Sequence, residues 1–256
     1  TFDGIDAGPD GLTAQAMAWT STDAGATWQA HEVAPNSTID GVVQDDDGLL
    51  AWGHAVGPRA VVPSRMWRST DDGATWQQLE AASKGVNASL GFVQQVLPWN
   101  GALVAISNID TSDPGPDADA LHYPSVGDPV QVHLLRSDDG GESWTKLPTN
   151  DMAAPTATQV AVAGVSNGDH LLIAGAEAAE DRNSFQPVLW DCDKDVRCSR
   201  VELGSTTGQM FSVTGDIVMV DDLAVVLLTD APEFLVAERS EFMLPWETAG
   251  RSYLTV

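Results

Sequence analysis

Apolar and polar residues alternate in short runs along this chain, and many of the runs come in pairs. Ile39–Gln44 leads to Leu49–Gly53 across the acidic turn Asp45-Asp46-Asp47-Gly48. Gly91–Leu97 leads to Ala102–Ile106 across Asn100-Gly101, and Gln159–Val165 leads to Leu171–Gly175 across Asn167-Gly168. Ile217–Val220 leads to Leu223–Leu228 across Asp221-Asp222. Runs of this length predict strands with one face buried, and Asn-Gly or Asp-Gly between two of them predicts a tight hairpin. Further alternating segments lie between the pairs: Ala16–Trp19, Arg65–Arg68, Val132–Leu135 and Pro187–Trp190. Helical periodicity is sustained nowhere. Its nearest approach, Ala176 to Arg182, is too short to stand alone. The pattern predicts an all-β chain of antiparallel strand pairs.

Three of the single segments end in nearly the same eight residues. Ser21-Thr22-Asp23-Ala24-Gly25-Ala26-Thr27-Trp28 returns as Ser69-Thr70-Asp71-Asp72-Gly73-Ala74-Thr75-Trp76 and again as Ser137-Asp138-Asp139-Gly140-Gly141-Glu142-Ser143-Trp144. Each position that stays fixed has a structural use. The glycine predicts a backbone φ above zero, which other residues adopt at a cost. The aspartate can accept backbone N–H groups of its own turn. The tryptophan offers a large apolar face to a neighbouring sheet and an indole N–H to a nearby carbonyl. Turn chemistry explains every fixed position, so these aspartates are read as clasps and not as catalysts. Such a repeat organises the chain into like units. A fourth, degenerate copy overlays Asp191 on the serine, Asp193 on the aspartate and Cys198 on the tryptophan, and Phe234–Ser240 echoes the opening of a fifth.

The pattern Ser-x-Asp-x-Gly-x-Thr/Ser-Trp resembles the Asp-box (BNR) repeat of sialidase-like β-propellers. The resemblance rests on Ser21, Asp23, Gly25, Trp28, Ser69, Asp71, Gly73, Trp76, Ser137, Asp139, Gly141 and Trp144. It implies one propeller domain over residues 1–256, built of four-stranded antiparallel blades with each box between the third and fourth strands. Counting strand pairs gives five blades, with a six-bladed ring as the alternative. The first blade has only twenty residues before its box. Ser252-Tyr253-Leu254-Thr255-Val256 is expected to supply its innermost strand and so remove a sheet edge. Family sialidases carry an Arg-Ile-Pro motif ahead of the first box, an arginine triad and a Tyr/Glu pair. None of the nine arginines here precedes Ile-Pro or Ser21, and Tyr123 and Tyr253 are the only tyrosines. The scaffold resembles the family and the catalytic set does not, so fold likeness carries no activity across.

Composition narrows the partners. With 37 acidic and 12 basic residues the formal net charge is −25, which argues against nucleic acid and anionic membrane surfaces. No apolar run is long enough to span a membrane. Cys192 and Cys198 lack Cys-x-x-Cys spacing. A disulfide across a hairpin turn fits them better than free thiols, and it points to an extracytoplasmic protein whose leader has been removed.

In propellers of the resembled kind, ligands bind on the face opposite the boxes, which places candidate ligand contacts at His54, Arg59, His122, Tyr123, Glu177, Asp181 and Arg182. The longest loop there, residues 108–130, clusters aspartates that suggest calcium but lacks the ligand register of an EF-hand. No other metal or cofactor motif is present. The favoured expectation is a secreted, non-catalytic propeller binding a glycan or a protein. The alternatives are a glycoside hydrolase using two carboxylates at the tunnel mouth and an assembly or scaffold factor.

Overall fold

The computed structural model describes residues 6–8, 11–56, 64–80, 82, 92–110, 130–149, 152, 158–178, 185–201, 211–220 and 223–230. The expectations placed on 252–256, on Phe234–Ser240 and on the Asp221-Asp222 turn lie outside them. Strands dominate as the alternation predicts, and Ala176–Ala178 belong to a strand rather than to a helix.

A short hairpin, β1 (Asp6–Gly8) with β2 (Gly11–Thr13), precedes a two-stranded sheet of β3 (Gln15–Thr20) and β4 (Gln29–Pro35). Three four-stranded antiparallel sheets follow, each running up and down in chain order. The first holds β5 (Ser37–Asp45), β6 (Gly48–Ala55), β7 (Ser64–Ser69) and β8 (Gln77–Gln78). The second holds β9 (Phe92–Trp99), β10 (Ala102–Asp110), β11 (Val130–Ser137) and β12 (Thr145–Lys146). The third holds β13 (Gln159–Ser166), β14 (His170–Ala178), β15 (Phe185–Asp193) and β16 (Cys198–Val201). The pair β17 (Phe211–Val220) and β18 (Leu223–Asp230) comes last.

Successive first strands touch one another, β5 with β9, β9 with β13 and β13 with β17, so the sheets follow side by side like blades. Apolar clusters fill the spaces between them. One joins Leu50, Trp52 and Met66 to Val96, Leu103 and Leu135 of the next sheet. Another joins Trp99, Ile106 and Leu134 to Ile173, Val188 and Trp190. Burying each large side chain is worth about 1.5–3 kcal/mol, so sheet–sheet contact holds the chain together.

Polar side chains finish the seams. Asn108 donates from Nδ2 to the Ala161 carbonyl at 2.9 Å and accepts the Ala161 N–H at 2.8 Å. Gln95 Oε1 accepts the Gly164 N–H at 2.6 Å. These amides satisfy the outer edge of β13, whose backbone groups would otherwise be left unpaired. The register of β5 shifts at Asp40, that of β9 at Gln94 and that of β13 at Val162, so each first strand carries a bulge.

Candidate functional site

Boxes and loops occupy opposite ends of the sheets. The boxes follow β3, β7 and β11 at the end that also carries the first hairpin of each four-stranded sheet, and the connections after β6, β10 and β14 leave from the other end.

The box geometry repeats closely. The serine Oγ accepts the glycine N–H at 2.8, 2.9 and 2.8 Å, and donates to the aspartate Oδ1 at 2.8, 2.9 and 2.8 Å. That oxygen accepts the backbone N–H of Thr27, Thr75 or Ser143, while Oδ2 accepts the same residue's hydroxyl. The indole of Trp28, Trp76 and Trp144 donates to the glycine carbonyl at 3.0–3.1 Å. Gly25, Gly73 and Gly141 sit at φ of +88°, +86° and +90°. These bonds favour the carboxylate form. The Thr27 hydroxyl and N–H pull Asp23 down to about 2, and the equivalent donors lower Asp71 and Asp139. Each such carboxylate is a fixed anion with three of its about four acceptor sites engaged inside its own turn.

The degenerate copy keeps only part of this pattern. Asp193 Oδ1 accepts the Arg197 N–H at 2.9 Å, as the box aspartate accepts Thr27, so the overlay at Asp193 holds. Asp191 does not act as the box serine; it accepts a bond from His170 Nδ1 at 2.8 Å, and that contact raises the His170 pKa. The positive φ falls at Val196. Cys192 and Cys198 form the expected disulfide between directly paired residues of β15 and β16. It therefore adds to an aspartate clasp and does not replace one.

At the loop end, His54, next to last in β6, donates from Nδ1 to Asp40 Oδ2 at 2.9 Å, the carboxylate having only acceptors to offer. The bulge on β5 supplies that aspartate. Phe92 stands beside the imidazole, ring centroids 5.5 Å apart, and Arg65 Nη1 donates to Ser37 Oγ at 2.9 Å on the same sheet. Glu177 near the end of β14 is ion-paired with Arg200 of β16. His54 and Glu177 stand on different sheets, and among the described residues each bonds within its own sheet, to Asp40 and to Arg200. Arg59, His122, Tyr123, Asp181 and Arg182 lie outside the described residues, as does most of the 108–130 loop proposed for calcium.

Asp40, Phe92 and Arg65 were not singled out from sequence. The Asp40–His54 contact spans a hairpin with a register shift, and alternation alone does not show where a bulge falls. A groove of about 410 Å³ lies at the box end between Asp45, Asp46, Asp47 and the Ser137–Gly140 turn. Its Asp45 is held by Arg68, and Arg136 lowers Asp138 by a direct hydrogen bond.

No family model matches the chain, and no curated protein matches it. Among solved structures, an ulvan lyase of a polysaccharide lyase family, bound to a GlcA(1-4)Rha3S unit, is similar at 10% identity and a TM-score of 0.51, over 90% of this chain and 63% of that one. Trypanosoma rangeli sialidase with the inhibitor DANA aligns at 14% identity and a TM-score of 0.43, over 86% of this chain and 37% of that one. Bombyx mori β-fructofuranosidase with sucrose aligns at 13% and 0.44, over 75% and 40%. The chain thus spans between 37% and 63% of these structures. At such identities the likeness concerns the fold alone.

Proposed function

We propose that this is an extracytoplasmic glycan-binding protein that holds its ligand at the loop end of the sheets without catalysing its breakdown. The Asp40–His54 pair against the Phe92 ring carries this reading. A sugar ring offers hydroxyls and an apolar C–H face, and a fixed polar pair beside an aromatic surface meets both. Hydrolysis would need two carboxylates free to act as acid and as base or nucleophile. Among the described residues at this end, Glu177 is engaged by Arg200 and Asp40 by His54. The structures named above include proteins solved with a sialidase inhibitor, with sucrose and with a sulfated saccharide, in keeping with a sugar ligand. The disulfide supports an oxidising location.

The same proposal includes a closed ring of five blades. Trp76 packs on a cluster containing Ala34 of the preceding sheet, and Trp144 on one containing Leu50 of its predecessor. Trp28 has the same box geometry yet is 58% exposed, and Trp19 on β3 is 60% exposed. The open side of the first blade is thus where a preceding sheet belongs, and residues 252–256 are its proposed closing strand.

A glycan array run beside a panel of fluorogenic glycosides tests the function. Binding without turnover, lost on His54→Ala, supports the proposal. Turnover of any glycoside would replace it with the hydrolase reading, and silence on both would favour a protein ligand.

A further inference from the structure

Asn-Gly occurs twice in the chain, at Asn100-Gly101 and at Asn167-Gly168. Both stand exposed in the first hairpin of their sheets, at the box end. Asparagine is chemically labile, and a following glycine leaves its backbone nitrogen unshielded by a Cβ, free to attack the side-chain amide. Space does not separate the two turns: a Cβ on either glycine would meet nothing within 4 Å. Hydrogen bonding does.

In the second turn both reacting groups are held. Ser166 Oγ accepts the Gly168 N–H at 3.0 Å, and Asn167 Oδ1 accepts the N–H of Asp169 at 3.2 Å and of His170 at 2.9 Å. In the first turn Trp99 and Ala102 are paired across the hairpin, so Asn100 and Gly101 alone form the loop. Among the described residues the Gly101 N–H meets no acceptor. Asn100 is held only by Nδ2, which donates to the Lys194 carbonyl of the next sheet at 3.1 Å. That contact holds the nitrogen that would leave, while the carbon that would be attacked stays open.

We propose that Asn100 is a self-modifying site: it deamidates through Gly101 ahead of Asn167, and the product releases the disulfide turn from the second sheet. The Gly101 nitrogen gives its proton to solvent and adds to Asn100 Cγ. An N–Cγ bond forms, and Nδ2 takes up a proton and leaves as ammonia, closing a succinimide ring. Water then opens the ring. Cleavage at the Cγ side leaves aspartate, and cleavage at the backbone carbonyl leaves isoaspartate. One amide and one water give one carboxylic acid and one ammonia, with no change of oxidation state.

The nitrogen lost is the one that reaches Lys194, which lies within the turn enclosed by Cys192 and Cys198. A carboxylate in its place has only acceptors to offer, facing a carbonyl that also only accepts. It also adds a negative charge beside a turn that already carries Asp193 and Asp195. The site is at the box end and is independent of the glycan reading.

The intact protein is held at pH 8 and 37 °C, and the peptides of both turns are followed by mass spectrometry for conversion of amide to acid. Asn100 should convert roughly 5-fold or more faster than Asn167, because at least one hydrogen bond must first break at Asn167. In urea, where those bonds are gone, the two rates should converge. Equal rates in the folded protein, a faster Asn167, or a ratio that survives in urea would overturn the proposal. Asn100→Asp stands for the aged protein. Its buried Cys192–Cys198 bond should be reduced by dithiothreitol roughly 2- to 10-fold faster than in the parent, the worth of one hydrogen bond. An unchanged reduction rate would show that the turn is held without Asn100 and overturn the release.

Discussion

Arg68 grips Asp45 through Nη1 and Nη2, at 2.7 and 2.9 Å, across the sheet that holds them, and Nη2 also donates to the Gly140 carbonyl in the box of the next sheet. Both side chains of the pair are largely buried. One arginine thus fixes a hairpin, its own sheet and the neighbouring clasp. Arg68→Ala would leave the Asp45 charge poorly solvated and the Gly140 carbonyl without this donor. Removing one partner of a buried pair costs about 3–5 kcal/mol. A urea unfolding curve should show a loss near that size, and Asp45→Asn with Arg68→Met should recover much of it. A loss within experimental error for Arg68→Ala would show that the contact is dispensable.

The box aspartates make stability sensitive to acid. Asp23 sits near pKa 2 when folded, below its unfolded value near 4. A depressed pKa contributes stability that is complete above about pH 4 and is lost as pH falls towards 2. Asp23→Asn keeps one acceptor oxygen and loses the one that receives the Thr27 hydroxyl. The variant should be less stable than the parent at pH 7, and the gap should narrow when both are unfolded in urea at pH 2. A gap that persists unchanged at pH 2 would rule out the carboxylate as its source.

The boxes are legible in the sequence because their bonds are local. Everything that holds Ser21 to Trp28 lies within eight residues, so composition at fixed offsets encodes the turn. The hairpin Asn100-Gly101 is legible for the same reason, both residues lying at positive φ. The seams are not. Asn108 with Ala161, Asn100 with Lys194, and Arg68 with Gly140 join residues far apart in the chain. No periodicity marks which asparagine will reach across. The His54–Asp40 pair needed a bulge, and His133–Lys146 needed a strand pairing of two residues, β12, too short to show as alternation. Trp28 marks the opposite limit: its indole makes the same local bond as Trp76 and Trp144, but its exposure depends on what packs beside it.

Glycine substitutions should separate turn strain from crowding. Gly25 and Gly141 share nearly the same φ, so alanine meets the same backbone penalty of about 1–2 kcal/mol at either position. Their surroundings differ. A Cβ on Gly25 comes no nearer than 3.6 Å to the Trp28 ring, whereas one on Gly141 meets Leu50 Cδ2 at 2.9 Å. Gly141→Ala should therefore cost more than Gly25→Ala, by roughly 1 kcal/mol or more from forced repacking. Equal losses in thermal or chemical unfolding would mean that Leu50 yields freely.

The disulfide closes only a short loop, and Asp193 already binds the turn from within. A loop of this length predicts a stabilisation of about 2 kcal/mol on the chain-entropy view. Cys192→Ala with Cys198→Ala should lower the unfolding midpoint by that order and leave the far-ultraviolet circular dichroism unchanged. Thiol titration of the parent should find two reactive groups after reduction and none before. Loss of the strand signal in the double variant would assign the cystine a larger part than the turn geometry allows.

His133 and His170 should oppose each other as pH falls. His133 has a folded pKa near 4 and an unfolded one near 6.5, so the unfolded chain binds its proton first. Its contribution is complete above about pH 6.5 and is lost as pH falls towards 4. His170 is raised by Asp191, so its contribution is present below the unfolded pKa and is lost as pH rises through the folded one. The two windows meet at the unfolded value near 6.5 that both share, so the parent curve alone does not separate them there. The difference between parent and variant does. His133→Leu should flatten the decline from pH 6.5 to 4, since leucine fills the buried site and takes up no proton. His170→Asn should remove the gain on acidification and leave that decline in place. If His133→Leu kept the full decline, the buried ring would not be the group that resists protonation.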